Sequence, residues 1–215
     1  MPRPRLKPLP PAAESGVVRT LFALGLVVAA LVVWEARREL GLDHRLSAIA
    51  GEVAGRPVHV DCPGFVRGLV DISGNGGSVM FGPDGSPGDT TRLETSVCGD
   101  LAAYRKTRKR AEFACVYGSL PCSGRVESAV YAALILSHES QHLRGVRNEG
   151  EAQCDAIQML PLVAQRLGSP PGEAKAIASH FLAVDQPLMS GEYVLPPGCV
   201  NGGSLDLDPA GSSFP

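Results

Sequence analysis

Residues 126–157 read VESAVYAALILSHESQHLRGVRNEGEAQCDAI, and the rest of the chain is best organised around this stretch. An apolar run from Val130 to Leu136 leads into His138-Glu139-Ser140-Gln141-His142, and the spacing predicts one helix over Arg125 to His142. On a helix, residues four apart share a face, so His138 and His142 aim both imidazoles at a single cation. Glu139 sits beside the first of them, in reach of a water that the cation activates. The chemistry that needs this pattern is hydrolytic. Zinc lowers the pKa of a bound water to about 7 and polarises a carbonyl, while the carboxylate takes the proton as the water attacks. Two histidines closing a core helix without a metal is the plainer reading, but a pair at ligand spacing flanking a glutamate favours the metal. Leu143 and Gly145 supply a helix stop directly after the second histidine.

A catalytic zinc takes three protein ligands and keeps one position open, so a third ligand must come from elsewhere. The candidates are Asn148, Glu149 and Glu151 beyond the glycine turn, and His180 on the last expected helix. Asn148 stands where the spacing HExxHxxGxxH would place a third histidine, but an amide oxygen is a weak zinc ligand. Carboxylates fit better, and Glu149 and Glu151 both open a second helix that runs from Asn148 to Leu167.

These two helices resemble the gluzincin metallopeptidases, in which HExxH is followed by a helix carrying a zinc-binding glutamate in an E-x-x-A-[DN] stretch. The matching residues are Glu149-Gly150-Glu151-Ala152-Gln153, with Gln153 where the family has Asp or Asn. The resemblance covers roughly residues 126–165. It implies His138, His142 and Glu149 as zinc ligands, with Glu151 the alternative third ligand, Glu139 as general base, and a peptide or protein substrate. A second frame, Glu151-x-x-x-Asp155, would let Asp155 hold a ligand imidazole. In such enzymes an edge strand before the active helix pairs with substrate backbone, and Thr91 to Val97 is the candidate here.

The N-terminal region sets expectations about compartment. Residues 1–15 carry Arg3, Arg5 and Lys7 among prolines and read as a tail. Leu21 to Trp34 is uncharged, and with Val17 and Val18 beyond a snorkelling Arg19 it reads as a transmembrane signal anchor with the N-terminus cytoplasmic. Everything beyond residue 36 is then expected outside the cell membrane, where disulfides persist.

The expected organisation is a cytoplasmic Pro-rich tail over 1–16, a transmembrane helix over 17–36, a stalk helix over 37–57, an extracytoplasmic domain over 58–200 and a disordered tail over 201–215. Apolar spacing at Leu42, Leu46, Ile49 and Val53 supports the stalk helix, which Pro57 ends. Val58 to Val60, Val79 to Phe81 and Thr90 to Val97 read as short strands, with a turn over Ser73 to Gly77. Helical patterns return from Cys98 onward. The fold class is therefore α+β: a small zincin-like domain, mostly helical with a short N-terminal sheet, after one transmembrane helix.

The net charge of −2, from 20 basic and 22 acidic residues, argues against nucleic acid as a partner. The run Arg105 to Arg110 then reads as a solvated helix face. Six cysteines, none in a C-x-x-C pair, read as disulfides rather than zinc ligands. Cys115 and Cys122 can close a turn, and proximity in sequence suggests Cys62 with Cys98 and Cys154 with Cys199. His180 and Tyr193 could each offer a donor to a developing oxyanion. The functional expectation is a membrane-anchored zinc metallopeptidase. A zinc-binding envelope protein without turnover and an amidase of cell-wall peptide are the alternatives.

Overall fold

The structure is a computed structural model that describes residues 14–63, 76–109, 112–122, 124–211 and 214. Residues 1–13 of the tail expected over 1–16 and most of the turn over 73–77 lie outside them, as does Arg110. The chain divides into two units, 1–40 and 41–215.

Helix α1 (Glu14–Ala54) begins in the first unit and ends in the second. Among the described residues no helix is long and apolar enough to cross a membrane, which overturns the transmembrane anchor expected over 17–36. The physical reason is length. The uncharged run between Arg19 and Glu35 is 15 residues, about 22 Å at 1.5 Å per residue, against a hydrocarbon core of about 30 Å. The single-pass, extracytoplasmic location inferred from that anchor is withdrawn with it.

From Gly41 onward the same helix belongs to the second unit, and it is more than a stalk. Leu46, Ile49, Ala50 and Val53 form one buried face at helical spacing. Arg56, just beyond, donates from Nε to the Leu143 carbonyl at 2.9 Å and from Nη2 to the Gly88 carbonyl at 2.5 Å. It thereby satisfies a carbonyl in the last turn of a helix that lies far away in sequence.

Strands β1 (His59–Asp61), β2 (Gly77–Phe81) and β3 (Pro87–Leu93) form one sheet in the order β1-β3-β2. β1 is parallel to β3, with Val60 opposite Thr91, and β2 is antiparallel to it, with Val79 opposite Thr91. The edge strand expected over Thr91 to Val97 is therefore misplaced. β3 is hydrogen-bonded on both sides and cannot receive another chain, and Thr95 already opens helix α2 (Thr95–Arg108). Among the described residues the edge that borders the candidate site belongs to β2.

Helix α3 (Arg125–Arg144) is the centre of the unit and packs against α2, against β2 and β3, and against α4 (Glu149–Leu167). Its buried side chains include Val126, Ala129, Val130, Ala133, Leu136 and Leu143. Helix α5 (Pro171–His180) packs on α4 and starts with proline at its first position, where no amide hydrogen is needed. The basic run lies on and just beyond α2. Arg105 donates to the Leu167 carbonyl at the end of α4 at 3.3 Å, and Arg108 pairs with Glu173 at 2.7 Å.

All six cysteines are paired, Cys62 with Cys98, Cys115 with Cys122 and Cys154 with Cys199. The last bridge ties α4 to the C-terminal segment. Beyond it, residues expected as a tail with nothing to pack are held by Gln158, which donates to the Leu205 carbonyl at 2.8 Å and accepts from the Leu207 amide at 2.7 Å.

Candidate metal centre

A tight connection between α3 and α4 builds the centre. Gly145 adopts φ +113°, a left-handed conformation that suits glycine, and its amide donates to the carbonyls of Gln141 and His142. The Val146 amide adds a third bond, to Gln141. Three residues later the Asn148 side chain accepts from the Glu151 amide at 3.0 Å. Asn148 is thus the N-cap of α4 and not a ligand. Stop and cap together turn the chain back so that the first residue of α4, Glu149, faces the last turns of α3.

Glu149 Oε2 lies 2.9 Å from His138 Nε2 and 3.2 Å from His142 Nε2, and the two nitrogens are 3.0 Å apart. These three residues could hold a metal ion. Glu151, the alternative third ligand, is exposed and outside the group. Donors bound at about 2.0–2.1 Å in a tetrahedron sit about 3.3 Å apart, close to the separations found here.

The donor set agrees with that spacing. His142 Nδ1 lies 2.7 Å from the Val146 carbonyl, which can only accept, so in the neutral ring the proton sits on Nδ1 and the lone pair of Nε2 faces Glu149. His138 Nδ1 lies 3.2 Å from Gln153 Oε1, so the partner of that imidazole is Gln153 and not Asp155, which the alternative frame offered. Two nitrogens and a carboxylate oxygen therefore converge as acceptors, an arrangement that a cation resolves. Burial, and then the neighbouring His142, lower the pKa of His138, favouring the neutral imidazole that a metal ligand requires.

Glu139 is not one of the three donors. Its carboxylate lies against the sheet, with Oε2 3.4 Å from the Thr91 hydroxyl, which also reaches the Ser78 carbonyl at 3.1 Å. A side-chain carbon placed on Gly77 would lie 2.6 Å from Glu139 Cγ. Only glycine lets β2 approach this closely. Burial pushes the Glu139 carboxyl up to about 7; the charge of Glu149 adds to this, and His142 and Thr91 oppose it. A carboxylate poised near neutrality is suited to exchanging protons with a reacting group.

A cavity of about 280 Å³ opens beside His138 and Glu139, with Tyr131, Leu134, Ile135 and Met189 as its apolar wall. Tyr193 lines it too, its ring 5.7 Å from that of His138. His180, the other residue considered for this role, is buried elsewhere. Its Nδ1 lies 3.1 Å from the Gly118 carbonyl and its Nε2 lies 3.8 Å from Cys122 Sγ.

Sequence reasoning missed Gly77, Thr91 and Gln186. Gln186 accepts from Gln153 Nε2 at 2.9 Å and donates to the Tyr193 carbonyl at 2.9 Å. Gln153 had a signal, since it occupies the position of an acidic residue in the family that the helices resemble. The chain matches no family model, no curated protein and no solved structure.

Proposed function

We propose that this chain is a zinc-dependent peptidase, with His138, His142 and Glu149 as metal ligands and Glu139 as general base. The observation that carries the reading is the convergence of two imidazole nitrogens and a carboxylate oxygen beside a buried glutamate that is not among them. Two histidines and one glutamate are a donor set of catalytic zinc, which leaves one position for water or substrate. Bound there, zinc would acidify a water and polarise the carbonyl under attack.

The protein's own groups do the rest. Gln153 and the Val146 carbonyl orient the two imidazoles. Glu139 takes the proton of the attacking water and returns it to the leaving amine. Tyr193 brings a hydroxyl to the cavity as a donor for the developing oxyanion. A peptide suits the site because β2, an edge strand among the described residues, runs beside Glu139, where an extended chain can add main-chain hydrogen bonds. The apolar wall of the cavity accepts a side chain next to the cleaved bond.

The purified chain, stripped of metal and titrated with Zn²⁺, is expected to bind one ion and then cleave a mixed-sequence peptide library, with activity abolished by a chelator. A folded chain that takes up no zinc overturns the reading. The same assay tests the close approach of β2. Gly77→Ala should keep its zinc and lose turnover by on the order of 10²-fold, because its methyl displaces the base by about an ångström. Unchanged turnover in that variant would show that the approach is dispensable.

A further inference from the structure

We propose that Gln186, which touches none of the three metal donors, is a positioning residue that fixes the proton of His138 on Nδ1 by acting through Gln153. The inference rests on the metal reading above.

The argument starts from a group that has no choice. The Tyr193 carbonyl can only accept, so Gln186 must turn Nε2 towards it, 2.9 Å away. That leaves Oε1 facing Gln153, which must answer with its own Nε2, also at 2.9 Å. The Gln153 oxygen is then presented to His138 Nδ1 at 3.2 Å, and an amide oxygen cannot donate. Nδ1 must therefore carry a proton, which dedicates Nε2 to the metal side of the ring. One backbone carbonyl thus sets the polarity of a three-bond relay that ends on a ligand.

Burial keeps the relay directional. Gln153 is 3% exposed and Gln186 7%, so solvent does not readily replace a broken bond. Turning either amide over would set donor against donor or acceptor against acceptor in the interior. The relay is also neutral. Gln153 orients the imidazole without adding a third carboxylate beside Glu149 and Glu139. The residue that starts the relay belongs to the same segment as Met189 and Tyr193, so the wall of the cavity and the orientation of a ligand share one support.

The test uses the full chain labelled with ¹⁵N-histidine and two readouts: zinc affinity by competition with a chelator, and solvent exchange of the His138 Nδ1 proton by NMR. Gln186→Leu is expected to weaken zinc roughly tenfold, at the low end for loss of a ligand's outer partner, and to speed exchange of that proton. Gln186→Glu still accepts from Gln153 but offers the Tyr193 carbonyl no donor, so it should recover only part of both. Gln158→Leu is the control, because Gln158 also anchors the C-terminal segment to α4 but has no link to His138. Wild-type affinity and exchange in Gln186→Leu overturn the proposal. So does equal weakening in Gln158→Leu, which would make the effect one of general docking. Should Gln186→Leu not fold, Gln186→Met takes its place in the same measurements. If the wild-type chain binds no zinc, the metal reading fails alone, and the Nδ1 proton of the metal-free chain still decides whether the relay exists.

Discussion

Glu139→Gln is expected to bind zinc as the parent does and to lose turnover by about 10²–10⁴-fold, the usual contribution of a positioned general base. The substitution preserves shape, and Glu139 is not one of the three clustered donors, so binding has no reason to change. His142→Ala should behave differently. It removes one corner of the donor triangle, 3.0 Å from His138 Nε2 and 3.2 Å from Glu149 Oε2, and zinc and turnover should vanish together. Elemental analysis and peptide cleavage on the same preparations separate the outcomes. Equal turnover in Glu139→Gln and the parent would leave the metal a structural role only, and zinc retained by His142→Ala would remove His142 from the ligand set.

The second large effect is on stability. Replacing both Cys154 and Cys199 by alanine opens a loop with a sequence separation of 45. The chain-entropy account assigns such a crosslink about 4 kcal/mol, against about 2 kcal/mol for the bridge between Cys115 and Cys122 with its separation of 7. Domains of this size are stable by about 5–15 kcal/mol, so losing the larger bridge consumes a substantial part of the total. Urea unfolding of the two double variants should rank them in that order. The reverse ranking would mean that native contacts of the short bridge outweigh loop entropy.

Much of the centre was legible because its determinants are local. Two histidines four apart, a glycine stop and a cap followed by glutamates describe a helix, a turn and a second helix within a few turns of chain, and helical periodicity reports such geometry directly. The cysteines pair in chain order, each with the next, as proximity suggested, although two of the bridges span 36 and 45 residues. What was misread depends on distant residues. A threonine-rich stretch looks like a strand whatever its place in a sheet, and only the pairing of β1 with β3 makes Thr91 central. No local pattern marks Gly77 as the point where a strand meets Glu139, or Gln186 as the start of the relay. The N-terminal expectation failed on a count, by extending the apolar run through Arg19. The C-terminal tail reading did not include Gln158, because Gly and Ser content says nothing of the bonds that Leu205 and Leu207 make to that side chain of α4.

The three clustered donors fall within twelve residues of one another, whereas Glu139 is held from far away: Thr91 is 48 residues from it. Loop closure for the donors is therefore cheap, and a hairpin of α3 and α4 can bring them together early in folding. The contact of Glu139 with Thr91 closes a longer loop, at a greater cost in chain entropy. On the proposed function, a nascent or partly unfolded chain would hold its ion before Glu139 is in place, and hydrolysis would await the completed fold.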